Sequence, residues 1–367
     1  MDVLSFFSGC GGLDLGFRQA GFNIVWANEY DKTIWDTYEF NHPETKLEKR
    51  DIKTINSSEI PDAIGIIGGP PCQSWSEAGA GRGINDSRGQ LFYDYIRLIR
   101  DKKPLFFLAE NVSGILAEKH APAFKNILAQ FKDAGYEVTY KLLNAQHFNV
   151  PQDRKRVIIV GYREDIGSGF DFPKSSNKSW TLRDAIYDLS DLEPVKVERQ
   201  PFTINNTIPN HEYLDSDFSS IYMSRNRVRS WNEPSFTIQA GGRHAPIHPQ
   251  ASKMIWIEKD KWMFDPKSPK PYRRLSVREC ARIQTFPDDF IFRYNNIANG
   301  YKMVGNAVPV EFARILASKI IEDIQSYQNF GVCISSRTDQ SWTQPTLPFV
   351  QPDLQDLAST ELTHSLP

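Results

Sequence analysis

Two observations predict an α/β fold built on a mostly parallel sheet. Short apolar runs alternate with stretches of helical periodicity in the first half of the chain, as in strands joined by crossover helices. Turns rich in glycine or proline follow two runs, Val3–Phe6 and Ala63–Ile67, at the sheet edge where such folds bind ligands. The other predicted strands are Phe22–Trp26, Leu105–Ala109, Glu137–Leu143 and Val157–Gly161, and the predicted helices are Gly12–Ala20, Gln90–Lys103 and Ala121–Ala134.

The pattern changes from about Asp171. Through Pro271, Ser, Asn, Asp and Pro become more frequent and the alternation of strands and helices is lost, which predicts a smaller, irregular second domain. Helical periodicity returns at Ser276–Gln284 and Val310–Gln325. The stretch 331–367 is rich in Ser, Thr, Gln and Pro, a composition typical of a disordered tail.

Composition excludes several classes of protein. The 367 residues contain no apolar run of the length that spans a membrane and no signal-peptide pattern, so we expect a cytoplasmic protein. None of the four cysteines, Cys10, Cys72, Cys280 and Cys333, has CxxC spacing. This predicts neither a metal site nor a disulfide framework, so a cysteine with a special role is expected to be chemical.

Net charge gives little support to nucleic-acid binding, but local charge does. The chain carries a formal charge of −2. Between Ile221 and Pro246, however, basic residues far outnumber the single acid, Glu233: they are Arg225, Arg227, Arg229 and Arg243. A local basic stripe of this kind is compatible with a phosphate backbone.

A glycine-rich turn, Phe7–Gly12, follows the first predicted strand and opens a helix. Glycines allow a ligand to approach the backbone, and the helix N-terminus is electropositive. Glu29 lies twenty residues after Gly9, where an acid often holds ribose hydroxyls, and Asp51 is placed to hold an adenine amino group. Alone, the turn fits a nucleotide-type ligand, including a nicotinamide dinucleotide, or simply a tight turn.

A second segment, Gly68–Ser76, contains Cys72 directly after two prolines that fix the backbone. Its position at the carboxyl end of a strand favours an exposed nucleophilic thiol over a buried structural cysteine. Glu110 follows the next strand and would reach the same sheet edge. In the charged run before Val157, alternation would place Arg154 and Arg156 on one side, although such a run can also be merely solvated.

Together these segments resemble the bacterial DNA cytosine-C5 methyltransferases. The matching pieces occur in that family's order and span most of the chain. They are Phe7–Leu13, Asn28–Glu29, Gly69–Gln73, Glu110–Val112, Gln152–Arg156, Arg274–Glu279 and Gly305–Pro309. Several independent motifs in order are more specific than any one of them.

The resemblance implies a chemistry for the polar residues. Cys72 would add to C6 of cytosine and so make C5 nucleophilic. Glu110 would hydrogen-bond the ring N3 and the exocyclic amine, while Arg154 and Arg156 would hold the carbonyl oxygen of the base or the nearby backbone. The target nucleotide of double-stranded DNA would be flipped out of the helix, because C6 cannot be reached within the stack.

The resemblance also implies S-adenosyl-L-methionine as cofactor, S-adenosyl-L-homocysteine as product and no metal. A Rossmann-like catalytic domain, formed by residues 1–172 and 273–330, would enclose a target-recognition domain at 173–272. The residues expected to line the cofactor pocket are Phe7, Gly9, Gly11, Leu13, Glu29, Asp51, Ile52, Pro70 and Asn306.

Within the recognition domain, Arg225, Arg227 and Arg229 are two residues apart and would form a row on an extended segment. Arginine reads guanine bidentately, which favours a G·C-rich site, although phosphate contact is the common alternative. Arg243, in a later segment of the same domain, is a further candidate DNA-binding residue, and Ile221 is a candidate wedge between bases. The run from Met223 to Gly242 and the following His248–Gln250 resemble the enzymes that methylate the inner cytosine of GGCC.

That subgroup implies a type II restriction–modification system, with a partner endonuclease of the same specificity and a monomeric methyltransferase. Three alternatives remain at this point. A transfer-RNA cytosine methyltransferase would share the fold, but the long Arg-rich insert argues against it. A non-catalytic DNA-binding homologue would not need Cys72 and Glu110. A nicotinamide oxidoreductase would leave the Pro-Pro-Cys segment without a role.

Overall fold

In a computed structural model, residues 1–71, 91–198 and 208–330 can be described. Cys72, Gln90 at the start of a predicted helix and the tail predicted at 331–367 lie outside these ranges. The strands of the main sheet are β1 (Asp2–Phe6), β2 (Asn23–Asn28), β3 (Lys46–Glu48), β4 (Gly65–Gly68), β5 (Phe106–Val112), β6 (Tyr136–Asn144) and β7 (Lys155–Arg163). The helices are α1 (Gly12–Gln19), α2 (Trp35–Asn41), α3 (Leu91–Lys102), α4 (Ala121–Asp133), α5 (Leu182–Ile186), α6 (Val277–Ile283), α7 (Ile297–Asn306) and α8 (Val310–Phe330).

The seven strands form one sheet in the order β3-β2-β1-β4-β5-β7-β6. The first five strands along the chain pair in parallel, and β7 runs antiparallel to both β5 and β6. The predicted mostly parallel α/β sheet is therefore confirmed. Because the chain leaves β1 for one side of the sheet and returns at β4 to build the other, the turns after β1 and β4 meet at a topological switch point, where such sheets bind ligands.

Strand β5 is longer than predicted. The predicted strand ended at Ala109 because a charged residue follows. In the structure β5 continues to Val112, since Glu110 pairs with Ile158 and Val112 with Arg156 of β7. Glu110 therefore lies on a strand whose position is fixed by a neighbour, not in a loop after it.

Apolar layers cover both faces of the sheet. Consecutive residues of β5 point to opposite faces, as the strand geometry requires. Phe106 packs on the α1 and α8 side, with its ring 6.4 Å from that of Phe17, while Phe107 stacks on Phe131 of α4 at 4.1 Å. A buried strand with apolar side chains on both faces is typical of a sheet sandwiched between helices.

The described residues of the region 173–272, which leave out 199–207, contain little regular structure, in line with the sequence pattern. Besides α5, it has two short pairs of strands, β8 (Val195–Val197) with β9 (Glu212–Leu214) and β10 (Ile255–Glu258) with β11 (Lys261–Met263). A small core of its own includes Tyr222, Val228, Ile247 and Met254. No helix within the described ranges is both long and apolar enough to cross a membrane.

Helix α8 packs directly on α1 at Gly16. A Cβ atom added there would lie 2.5 Å from the Ala313 Cβ and 2.6 Å from the Val310 carbonyl oxygen. Neither atom is the end of a flexible side chain, so the two helices would have to separate.

We therefore expect Gly16→Ala to lower the free energy of unfolding by about 1–3 kcal/mol, because overpacking outweighs the better helix propensity of alanine. Urea denaturation of the two proteins measures this difference. Ala129→Gly on an exposed part of α4 is the control for propensity alone. A stabilised Gly16→Ala protein would contradict the close contact of α1 with α8.

Candidate active site

The turn after β1 has an unusual backbone. Phe7, Gly9 and Gly11 all have positive φ angles, of 53°, 57° and 88°. At Gly11 no side chain would fit, because a Cβ would lie 2.1 Å from the His42 Nε2 atom. At Gly9 no atom lies within 4 Å of the same position, so the turn faces open space. The turn therefore packs against His42 on one side and is open to solvent at Gly9 on the other, as a ligand-binding turn requires.

Glu29 closes one side of this turn. Its Oε2 accepts a hydrogen bond from the Gly9 backbone N–H at 2.9 Å, and its Oε1 accepts from the Asp31 N–H at 2.8 Å. Burial raises the pKa of this carboxyl, and the two backbone donors act against that shift. A carboxylate oxygen can accept more than one hydrogen bond, so both oxygens can still receive ribose hydroxyls.

The other predicted cofactor residues surround the same edge to different degrees. Asp51 caps a short 3-10 turn by accepting from the Lys53 N–H at 3.1 Å. Asn306 is exposed at the end of α7, and the segment after it touches the glycine turn, since a Cβ on Gly12 would lie 2.6 Å from the Val308 carbonyl oxygen. The side chains of Leu13, Ile52 and Pro70 are buried.

A buried ion pair forms the second part of the site. Arg156 of β7 places its Nε 2.7 Å from the Glu110 Oε1 of β5, with both side chains nearly excluded from solvent. Asn111, the next residue, donates from Nδ2 to the Pro70 carbonyl oxygen at 3.2 Å. A Cβ on Gly69 would lie 3.6 Å from the Glu110 Oε2. The described segment that leads into Cys72 therefore passes directly beside Glu110.

Arg154 makes different contacts from Arg156. It precedes β7, is 1% exposed, and donates to the carbonyl oxygens of Ile238, Gly305 and Ala307 at 2.9–3.1 Å. The expectation that Arg154 and Arg156 act on one side as a pair is corrected accordingly. Arg156 contacts Glu110, whereas the guanidinium of Arg154 is occupied by the main chain.

The row of three arginines is also corrected. Arg227 is buried and donates to the carbonyl oxygens of Tyr222 and Ile221 at 2.7 and 3.0 Å. Arg229 forms an ion pair with Glu233 at 3.1 Å. Strict alternation fails because the segment is irregular and folds over its own small core. Of the predicted DNA-reading residues, Arg225, Arg243 and Ile221 are exposed.

Comparison with known proteins decides the family. Residues 1–322 match the family of C-5 cytosine-specific DNA methylases. The chain belongs to this family. It is thus a DNA (cytosine-5-)-methyltransferase with a Rossmann-like catalytic fold, and its family uses S-adenosyl-L-methionine.

Similar proteins cover nearly the whole chain. The Type II methyltransferase M.MthTI of Methanothermobacter thermautotrophicus is 61% identical over 90% of this chain and 99% of its own length. M.FnuDI of Fusobacterium nucleatum, also a Type II methyltransferase, is 53% identical over 92% and 99%. A crystal structure of an Escherichia coli prophage protein, described as a putative DNA modification methyltransferase, aligns with a TM-score of 0.66. The alignment covers 89% of this chain and 99% of that one at 24% identity, which shows a similar fold.

The geometry of the methyltransferase fits the cofactor that its family uses. The open space above Gly9 gives room for a ligand to lie against the backbone. Glu29 at the end of β2 offers acceptors beside that space. A cationic sulfonium nucleoside needs such a backbone cradle and such a carboxylate.

The sequence did not single out a buried polar network under the glycine turn. Asp14 is fully buried and accepts from the Ser5 Oγ and the Tyr38 hydroxyl, both at 2.6 Å. Tyr38 in turn stacks on His42, the residue below Gly11, at 4.6 Å. The sequence does contain a signal for this network: Asp14 stands between Leu13 and Leu15 in the first turn of α1, where an apolar residue would be expected.

Burial raises the pKa of Asp14 from 3.8 to about 6. The folded chain therefore keeps this proton to higher pH than the unfolded chain does. As pH rises from 4 to above 6, the unfolded state loses its proton first, so this residue should remove about 3 kcal/mol of stability over that range.

We compare the unfolding free energies of the wild type and of Asp14→Asn. The wild-type value minus the variant value should fall by about 3 kcal/mol between pH 4 and pH 7. Urea denaturation at a series of pH values measures it, and the other titrating groups cancel because both proteins contain them. A difference that does not change with pH would show that Asp14 ionises normally.

Proposed function

We propose that this methyltransferase flips a cytosine out of duplex DNA and methylates its C5 through a covalent adduct between Cys72 and C6. The single observation that carries this proposal is the position of Glu110 beside the Gly69–Pro71 segment. A thiol one residue beyond Pro71 and a carboxyl on the neighbouring strand would approach the same base from two sides.

The chain's own groups account for the steps. The Cys72 thiolate adds to C6, and the electron pair of the C5–C6 double bond moves toward the ring N3 and its carbonyl. The carboxyl of Glu110 hydrogen-bonds N3 and the exocyclic amine, which stabilises the charge that develops there. Arg156 holds Glu110 in place through the 2.7 Å ion pair. C5 would take the methyl group with S-adenosyl-L-homocysteine as the leaving group. A base or water then removes the C5 proton, whose electron pair restores the C5–C6 double bond as Cys72 leaves as a thiolate.

S-adenosyl-L-methionine supplies the electrophilic methyl group when it is bound. The turn at Phe7, Gly9 and Gly11 would contact it through the backbone, and Glu29 would accept its ribose hydroxyls. Asp51 would accept from the adenine amino group. Asn306 and the main chain near Leu13, Ile52 and Pro70 would complete the pocket.

We further propose that the chain is the modification enzyme of a type II restriction–modification system, specific for GGCC, and acts as a monomer on the inner cytosine. The names of M.MthTI and M.FnuDI support the type II assignment. The segment Met223–Gln250 supports the GGCC site through its resemblance to that subgroup. The exposed Arg225 and Arg243 provide guanine-reading groups. A partner endonuclease would have the same specificity.

A plasmid protection assay tests this proposal. The purified protein with S-adenosyl-L-methionine should protect plasmid DNA from an endonuclease that cuts GGCC and not from a panel with other sites. Cys72→Ala should give no protection while still binding S-adenosyl-L-homocysteine. Protection at another site would reject GGCC and keep the chemistry. Protection by Cys72→Ala would reject the nucleophile, and methylation of transfer RNA alone would reject the DNA substrate.

The arginines should separate into two classes. Arg225→Ala should reduce discrimination between a GGCC duplex and one with a changed guanine by about 1–3 kcal/mol, because its exposed side chain is free to reach a base edge. Its unfolding free energy should be almost unchanged.

Arg227→Ala is the matched comparison. It should lower the unfolding free energy by about 1–3 kcal/mol, because the buried carbonyl group of Tyr222 loses the donor that Arg227 supplies at 2.7 Å. Ratios of kcat/KM on the two duplexes and urea denaturation measure both effects. A stable Arg227→Ala protein with lost discrimination would mean that Arg227 reads DNA.

A further inference from the structure

Two glutamines bind each other at the centre of the molecule. Gln152 and Gln284 are both 0% exposed, and the Gln152 Nε2 donates to the Gln284 Oε1 at 2.7 Å. Neither residue belongs to the groups assigned above to the base, the cofactor or DNA. Burial of an amide is costly unless its hydrogen bonds are made. The contacts that satisfy this pair therefore indicate what it does.

Each glutamine holds a different segment. The Gln152 Oε1 accepts from the Ile238 N–H at 2.9 Å, in the segment that leads to Arg243. The Gln284 Nε2 donates to the carbonyl oxygens of Val304 and Ala307 at 2.8 and 3.1 Å. Those two residues flank Asn306. The pair thus joins the DNA-reading side of the molecule to the cofactor side.

Arg154 strengthens the same connection. It donates to Ile238 on one side and to Gly305 and Ala307 on the other. Its positive charge also lies at the C-terminal end of α7, where it stabilises the helix carbonyls. The segments touch without intervening space, because a Cβ on Gly305 would lie 2.3 Å from the Gln239 carbonyl carbon.

The hydrogen bonds determine the orientation of both amides. The Ile238 N–H requires an acceptor, which must be the oxygen of Gln152. The two carbonyl groups facing Gln284 require donors, which must be its NH2 group. A rotated amide would place like groups together in a buried space, so the pair has one stable arrangement.

We propose that Gln152 and Gln284 are positioning residues that couple recognition of the DNA site to binding of the cofactor. The proposal rests on the proposed function. DNA would contact the segment after Ile238, the cofactor would contact the segment around Asn306, and the glutamine pair fixes the position of one segment relative to the other. Each ligand then binds more tightly when the other is present.

The test is the Kd of S-adenosyl-L-homocysteine, measured by calorimetry with and without a GGCC duplex. In the wild type we expect the duplex to lower this Kd by about fivefold or more. Gln284→Glu replaces the donor by an oxygen that faces two carbonyl groups. For this variant the ratio of the Kd without DNA to the Kd with DNA should fall to about one. Its Kd without DNA should stay within about threefold of the wild-type value.

Tyr162→Phe is the matched control. It removes a buried hydrogen bond of 2.9 Å to Asp323, away from the glutamine pair, and should keep the wild-type ratio. If Gln284→Glu does not fold, Gln152→Met provides the same measurement, because the methionine side chain is similar in shape to glutamine and has no amide. A folded Gln152 or Gln284 variant with the wild-type ratio would overturn the proposal, as would a wild type without coupling.

The plasmid assay keeps the two proposals separate. If the wild type protects GGCC sites and the glutamine variants keep the wild-type coupling, only the role of the glutamines is rejected. A wild type that protects a different sequence rejects GGCC, and the calorimetry is then performed with a duplex of that sequence.

Discussion

Antiparallel pairing of β7 with β5 determines how the active site is assembled. Residue by residue, this pairing sets Arg156 opposite Val112 and brings its guanidinium to Glu110. It also fixes the direction in which the chain enters β7, so that Gln152 and Arg154 lie at the sheet edge. A one-residue shift in register would turn every side chain of β7 to the other face. The contact of Glu110 with Arg156 and the buried link from Gln152 and Arg154 to Ile238 therefore depend on the same strand pairing.

The cofactor side depends on close contact between distant parts of the chain. The glycine turn lies on His42, which burial keeps neutral by lowering its pKa to about 3. The segment after α7 closes on Gly12 from the other side. Neither contact leaves space for a Cβ, so these glycines serve packing as well as ligand approach. The segment after α7 and helix α8 thus close the fold against the glycine turn and α1.

The sequence predicted the sheet because buried strands are nearly continuous apolar runs, which Phe106–Ala109 and Val157–Val160 illustrate. It missed β3 (Lys46–Glu48), whose short polar sequence gains its strand conformation only from pairing with β2. Charge beside an apolar strand drew attention to Glu110 and Arg156, but such charge can also be merely solvated, so their proposed roles came from the family resemblance. The Gln152–Gln284 contact could not be foreseen, because it joins residues 132 positions apart and has no periodicity.

Two of the errors among the arginines, those at Arg154 and Arg227, have one physical cause. A region with few strand ladders leaves many backbone carbonyl groups without partners, and each must find a donor when it is buried. Arginine offers several donors in one plane, and here it supplies them repeatedly. Arg274 binds the carbonyls of Leu214, Ser216 and Asp217, and Arg278 binds those of Pro209, Pro287 and Phe290. Arg154 and Arg227 do the same. In an irregular region of this kind, an arginine is therefore as much a substitute for secondary structure as a candidate reader of bases, and its burial identifies the first role.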